Sequence, residues 1–305
     1  MAEAAKRYAV VTGANKGIGF EVCKQLASNG IKAVLIARDE KRGLEAVDEL
    51  KQLGLSDQVV FHQLDVTDPN SIASFANFIK TQIGKLDILV VAELTHVVSQ
   101  VNNAGIVGGN VDVDGMEASM TTGDTREWTK FIIPTYESVA AGIKTNYYGA
   151  KDMCEALIPL LKLSNSPRIV NVSSTRGNLE LIPNGWAKEV LSDVESLTEE
   201  KLDEVLNQFL KDFKESLLEN KGWPTVSPAY KISKAVLNAY TRMLAKKYPT
   251  IFINAVCPGY VKTDLNYQHG LLTVVEGAES VVRLALLPDG GPSGLFFSRS
   301  EVAPF

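Results

Sequence analysis

Short, continuous runs of branched apolar residues alternate with segments of helical periodicity along nearly all of the 305 residues, and this alternation restricts the fold more than any other feature. Tyr8-Ala9-Val10-Val11 reads as a strand; Ile18, Val22 and Leu26 follow at helical spacing, with Gly30 placed to end that helix. Ala33 to Ile36, Val59 to Phe61, Leu86 to Val90, Arg168 to Val172, Ile251 to Cys257 and Leu295 to Phe297 complete seven strand candidates. A strand that is apolar at consecutive positions needs cover on both faces, and parallel sheets wrapped by helices supply it. With no low-complexity linker and no fixed-period repeat, residues 1–305 are expected to form a single α/β domain, doubly wound around a mostly parallel seven-stranded sheet.

Composition narrows the function. An apolar content of 45% is enough for a sizeable core, and a net charge of -5 argues against nucleic-acid or anionic-membrane partners. Cys23, Cys154 and Cys257 are too few and too scattered for a disulfide framework, and His62, His96 and His269 show no ligand spacing, so no metal is expected. The N-terminus has no long apolar stretch and no run approaches the length of a membrane span. A cytoplasmic protein is expected.

Two stretches break the rhythm. Residues 106 to about 132 are rich in Gly and Asp and read as a long loop. Residues 175–229 contain TEEKLDEVLNQFLKDFKE, in which Leu202, Val205, Leu206, Phe209, Leu210 and Phe213 recur at 3–4 spacing. This is an amphipathic helix, and Ser196 with Glu199 fits a capping box before it.

Thr12-Gly13-Ala14-Asn15-Lys16-Gly17-Ile18-Gly19 joins the first strand to the first helix. Glycines there let the backbone turn tightly and approach a pyrophosphate, which a helix N-terminus binds through its free N–H groups and dipole. The spacing is G-x-x-x-G-x-G rather than the more familiar G-x-G-x-x-G. At the end of the second strand stands Arg38, where a carboxylate would favour NAD; a guanidinium suits a 2′-phosphate, with Lys16 and Arg42 able to add charge. Asp65 and Val66, after the third strand, are placed to meet an adenine.

Ser227-Pro228-Ala229-Tyr230-Lys231-Ile232-Ser233-Lys234 opens a helix that carries Tyr230 and Lys234 on one face. A free tyrosine, with a pKa of about 10, is a poor acid at neutral pH, but an adjacent ammonium stabilises its phenolate. With Ser173-Ser174 ending the fifth strand, the pair becomes a site for a carbonyl: a hydroxyl to bind the oxygen and a phenol to protonate it.

TGANKGIG, NNAG, NVSS, YKISK and CPGYVKTD stand in one order over essentially the whole chain, and in that combination it resembles the Rossmann-type short-chain dehydrogenase/reductase family. TNYYGAK at 145–151, ALIPLLKLSNSPRIVNVSS at 156–174 and LLPDGGPSG at 286–294 make it similar to a plant subgroup of monomeric menthone, isopiperitenone and salutaridine reductases, related to animal carbonyl reductases. The resemblance implies NADP(H) as cofactor and a small apolar carbonyl or alcohol, such as a terpenoid, as substrate. It makes Tyr230 the proton donor, Lys234 its activator and ribose ligand, Ser174 (rather than Ser173) the carbonyl ligand, and Asn146 the holder of a relay water. Asn103 would contact the cofactor, as would Gly13, Asn15, Lys16, Gly17, Ile18 and Gly19, with Pro258, Gly259, Val261 and Thr263 closing over it. Members that reduce a conjugated double bond carry an acidic residue in place of the tyrosine, so Tyr230 favours C=O reduction over enone reduction. The long span between Ser174 and Tyr230 is an insertion in the subgroup that covers the oligomerising face, which implies a monomer.

One segment departs from the family. LDILV and NNAG should be contiguous, yet the eleven residues Val91 to Val101 separate them. Either LDILV keeps its place as strand four and the extra residues bulge, or Val97 to Val101 replace it. The second arrangement buries Ser99 and Gln100 and expels apolar residues whose burial contributes roughly 1.5–3 kcal/mol each. The segment's ends, Val91 and Gln100-Val101, are compatible with intron-like boundaries, so it reads as an alternative-splicing or gene-model product. A cofactor-binding protein silenced by it is the competing function.

Overall fold

The computed structural model describes residues 6–92, 103–104, 109–111, 132–266 and 268–305. Eight strands form one sheet: β1 (Tyr8–Val11), β2 (Lys32–Ala37), β3 (Val59–Gln63), β4 (Ile88–Val91), β8 (Arg168–Val172), β9 (Phe252–Cys257), β10 (Phe296–Ser298) and β11 (Glu301–Ala303). Their order is β11-β10-β9-β8-β4-β1-β2-β3, parallel throughout except for the final β10–β11 pair. The seven expected strands are present, and the eighth is an exposed edge strand that carries no continuous apolar run.

Strand periodicity of two divides the core. Val10, Leu89 and Val91 face one buried cluster, while Ala9, Val11, Ile88 and Val90 face the other. Helices α1 (Gly17–Ser28), α2 (Glu40–Leu50) and α9 (Val274–Ala285) cover the second face. Covering the first are α3 (Pro69–Phe78), α4 (Tyr136–Ile143), α5 (Gly149–Leu161) and α8 (Pro228–Lys247). The chain winds outward in opposite directions from β1 and β4, and the crevice beyond their carboxyl ends is where such sheets bind ligands.

Between β8 and α8 lie two more helices, α6 (Gly185–Ser192) and α7 (Glu199–Lys214). Leu202, Val205, Leu206 and Phe209 of α7 are fully buried against the first face. Its cap differs from expectation. Thr198 accepts from the Lys201 N–H at 3.3 Å, whereas Ser196 donates its hydroxyl to Asp193 in the preceding turn. Thr198 directly precedes the first helical residue, where a side-chain oxygen can reach the free N–H groups.

LDILV keeps its place at the sheet centre. Val91, the first residue of the extra segment, extends β4 opposite Asn171, and both Val91 and Ala92 are buried. The four apolar residues of this run, Leu86, Ile88, Leu89 and Val90, are all fully buried, and that burial favours it over Val97 to Val101. Residues 93–101 and most of 106–132 lie outside the described residues. Short strands β5 (Asn103–Ala104), β6 (Gly109–Val111) and β7 (Ile132–Ile133) form a separate antiparallel sheet, so part of the expected loop is paired. Among the described residues, no helix is long and apolar enough to cross a membrane.

Candidate active site

The glycine turn sits where β1 meets α1. Gly13 and Gly17 both adopt φ +59°, and a Cβ on Gly19 would lie 2.5 Å from the Gly13 carbonyl oxygen. Only glycine permits that approach of helix to turn. Lys16, at the helix boundary, provides no side-chain cap, so the first N–H groups of α1 remain available. Thr12 ties the turn to β4: its N–H donates to the Val90 carbonyl at 3.1 Å and its hydroxyl to the Ala92 carbonyl at 3.0 Å. A cavity of about 190 Å³ opens here, lined by Gly13, Lys16, Gly17, Ile18, Gly19 and Ala92, with Thr263 and Asp264 on its far side.

These residues fit a dinucleotide. The glycine cradle and uncapped helix start suit a pyrophosphate. Exposed Arg38 stands at the end of β2, while the adjacent carboxylate, Asp39, is engaged in accepting the Arg42 N–H at 3.0 Å as the cap of α2. That leaves a cation rather than an acid at the ribose position, which favours a 2′-phosphate. The two auxiliary cations are occupied: Lys16 pairs with Asp264, and the Arg42 side chain lies 3.8 Å from Asp39. Asp65 accepts from the Thr67 N–H at 2.9 Å and its hydroxyl at 2.7 Å, and Val66 is buried against Gly149. Asn15 is half-buried in the turn. The backbone of Asn103 belongs to the small sheet and its side chain lies outside the described residues, so the end of β4 is occupied by Ala92.

The second cavity, about 430 Å³, adjoins the first through Ile18, Thr263 and Leu265. Ser173, Ser174, Tyr230, Cys257, Pro258 and Gly259 line it, with Arg176, Ser227, Tyr260 and Ser298. Its size suits a small ligand. β8 delivers the serines. Ser174 caps the short turn Thr175–Gly177, its oxygen accepting the Arg176 N–H at 3.1 Å, which leaves its own proton free to be donated. The Ser173 hydroxyl is buried without a hydrogen-bond partner among the described residues.

Close packing brings the tyrosine helix to this strand. A Cβ on Gly177 would fall 2.6 Å from the Lys234 carbonyl carbon, so glycine admits α8. Lys234 is 2% exposed, donates from Nζ to the Val172 carbonyl at 3.0 Å and lies 5.6 Å from the centre of the Tyr230 ring. Asn146 sits in a π-helical turn, Lys144–Tyr148, between α4 and α5. Its amide donates to Ser233 Oγ at 3.1 Å, and that hydroxyl donates to the Tyr230 carbonyl at 3.0 Å. Burial, and then the Arg176 cation, lowers the pKa of Lys231 next to the tyrosine. Sequence reasoning gave no role to Ala92, Ser227, Tyr260 or Asp264, although Tyr260 and Asp264 lie within CPGYVKTD and Ser227 begins the tyrosine helix.

A doubly wound sheet with a glycine-turn cradle and a Ser/Tyr/Lys cluster at its carboxyl edge defines a dinucleotide-dependent oxidoreductase. Residues 7–185 match the short chain dehydrogenase family, and residues 215–283 match a family described as enoyl-(acyl carrier protein) reductase. The chain is 58% identical to (+)-neomenthol dehydrogenase of Arabidopsis thaliana over the full length of both. Salutaridine reductase from Papaver somniferum superposes with a TM-score of 0.86 at 52% identity, covering 96% of this chain and 99% of that one. Menthone neomenthol reductase from Mentha piperita superposes with a TM-score of 0.80 at 51% identity, covering 98% and 100%. This chain belongs to the short chain dehydrogenase family.

Proposed function

We propose that the protein is an NADPH-dependent reductase that converts the ketone or aldehyde of a small apolar compound, of the terpenoid kind, to an alcohol. The observation that carries this reading is that Ser174 and Tyr230 line one cavity continuous with the glycine-turn cradle, with the Lys234 ammonium buried beside the tyrosine ring. Arg38 at the end of β2 supports NADP(H) over NAD(H). Relatives named for neomenthol and salutaridine support the carbonyl chemistry.

NADPH held against the glycine turn would supply hydride to the carbonyl carbon. Ser174 donates its free proton to the carbonyl oxygen and orients it. Tyr230 transfers its phenol proton to the same oxygen as negative charge develops there. Lys234, fixed by the Val172 carbonyl, stabilises the phenolate left behind and would also hold the cofactor ribose. Asn146 braces the helix through Ser233 and, in the role the family resemblance gives it, would hold a relay water that returns a proton toward Lys234. Pro258, Gly259 and Val261 wall the substrate cavity, and Thr263 lines both cavities, so that together they would close over the cofactor. The chain works as a single unit over residues 1–305, as a cytoplasmic monomer, with α6 and α7 occupying the face that would otherwise pair.

The test is NADPH oxidation with menthone and product identification. Neomenthol or menthol formation, with NADPH preferred to NADH, is expected. Cofactor binding without turnover over a panel of ketones and aldehydes would overturn the reading in favour of a silent binding protein, and a saturated ketone from an enone would mark a double-bond reductase.

A further inference from the structure

Ser227 stands at the N-terminal boundary of α8, three residues before Tyr230, and three local rules are set aside there at once. A serine at such a boundary ordinarily turns its oxygen back to accept an N–H of the first turn. Thr135, Thr198 and Thr273 all do so in this chain. Ser227 makes no such bond. Its backbone lies at φ 50°, ψ 50°, in the left-handed region that disfavours a residue with a side chain. Its hydroxyl is buried, the residue being 9% exposed, with no hydrogen-bond partner among the described residues.

Helix initiation is left to Pro228, whose missing N–H and fixed φ suit the first helical position. The left-handed backbone releases the Ser227 side chain from its own helix, and the residue lines the cavity of Tyr230 and Ser174. Strained backbone and unsatisfied buried polar groups concentrate where a ligand completes them. Ser173 provides the same cavity with a second buried hydroxyl that has no partner among the described residues. Ser174, by contrast, already accepts the Arg176 N–H.

We propose that Ser227 is a substrate-binding residue whose hydroxyl bonds a second oxygen of the substrate, distinct from the reacting carbonyl. The preferred substrates are therefore oxygenated cyclic ketones, bearing a hydroxyl, ether or further carbonyl, with ketones of bare hydrocarbons such as menthone reduced less efficiently. This rests on the ketone-reductase reading. A ligand without the second oxygen leaves the buried hydroxyl unsatisfied, and sites built to bond an oxygen discriminate strongly against analogues that lack it.

The experiment compares the three ring isomers of hydroxycyclohexanone with the corresponding methylcyclohexanones, which match them in size. The wild-type enzyme is expected to favour at least one hydroxy ketone by about tenfold or more in kcat/KM, and Ser227→Ala and Ser227→Gly to reduce that ratio by about tenfold. Ser227→Gly should also raise Tm by about 2 °C, because glycine adopts the left-handed backbone freely. Higher stability together with lost selectivity is not what a merely structural serine would produce, and the glycine variant decides the matter where the alanine variant fails to fold. Reduction of ketones with no hydroxy preference, or with a preference that survives both substitutions, overturns the role of Ser227 and leaves the reductase standing. No reduction of any ketone overturns the reductase reading and this assignment with it.

Discussion

Removing the phenol oxygen of Tyr230 takes away the proposed proton donor and leaves the ring beside Lys234 in place. Tyr230→Phe is expected to lower kcat/KM by about 10²–10⁴-fold while NADPH still binds, as initial rates and a fluorescence titration would show. A rate within a few-fold of wild type would mean the proton comes from another group. At this scale much of the site was legible, because each motif residue has a local reason for its identity. Gly19 has no room for a Cβ against the Gly13 carbonyl, and Tyr230 and Lys234 share a helix face by spacing alone. Ser227 was not legible: its left-handed backbone and idle hydroxyl depend on how α8 docks, not on neighbours in sequence. Nor could the sequence show that Lys16 and Asp65 would be engaged by Asp264 and Thr67.

At the scale of elements, the two candidate caps of α7 give a direct comparison. Thr198→Ala should destabilise by about 1 kcal/mol, roughly 2 °C in Tm, whereas Ser196→Ala should leave the helix unaffected. Equal effects would show that the turn at Asp193–Ser196 holds the helix start. Sequence placed the cap two residues early because Ser196 and Thr198 are both good caps with an acid downstream, and the choice follows from where the chain enters α7. The extra segment offers a stronger test. Deleting Val91 to Val101 joins Val90 to Asn102, which sets Asn102 in the buried place of Val91 and Asn103 in that of Ala92, at the cofactor cavity. The deletion is expected to raise Tm and to increase kcat/KM about tenfold or more by restoring the cofactor-side turn. Unchanged values in calorimetry and steady-state assays would show that β4, continued by Val91 and Ala92, already serves. Transcripts that all retain the segment would exclude a splicing origin.

Across the whole molecule, Lys16 of the glycine turn clasps Asp264, 248 positions away, and Gln268 donates to the same carboxylate at 2.9 Å. This contact holds the segment after β9 over the cofactor cradle. The Lys16 hydrogen bond holds the Asp264 carboxyl below its usual range. A depressed folded value means that the contribution is present above the unfolded carboxylate value, about 4, and is lost as pH falls through the folded one. Asp264→Asn should therefore raise KM for NADPH several-fold with little change in Tm, since an exposed ion pair contributes less than about 1 kcal/mol. The small Tm difference from wild type should disappear in acid. A KM unchanged by Asp264→Asn would show that the clasp plays no part in holding the cofactor.

The parallel sheet, its winding, the glycine cradle and the Ser/Tyr/Lys cluster were decided locally, by runs apolar at every position, by residue types that only one backbone tolerates, and by helical spacing. Strand β11 escaped because an exposed edge strand, Glu301–Ala303, needs no apolar pattern when a tight turn through Arg299, at φ 57°, folds it onto β10. The two readings of the extra segment differed in which run would be buried between β1 and β8, a contest among distant surfaces that only packing settles. The same holds for the end of β4, the partner of Lys16 and the freed hydroxyl of Ser227: each is set by contacts between residues far apart in the chain.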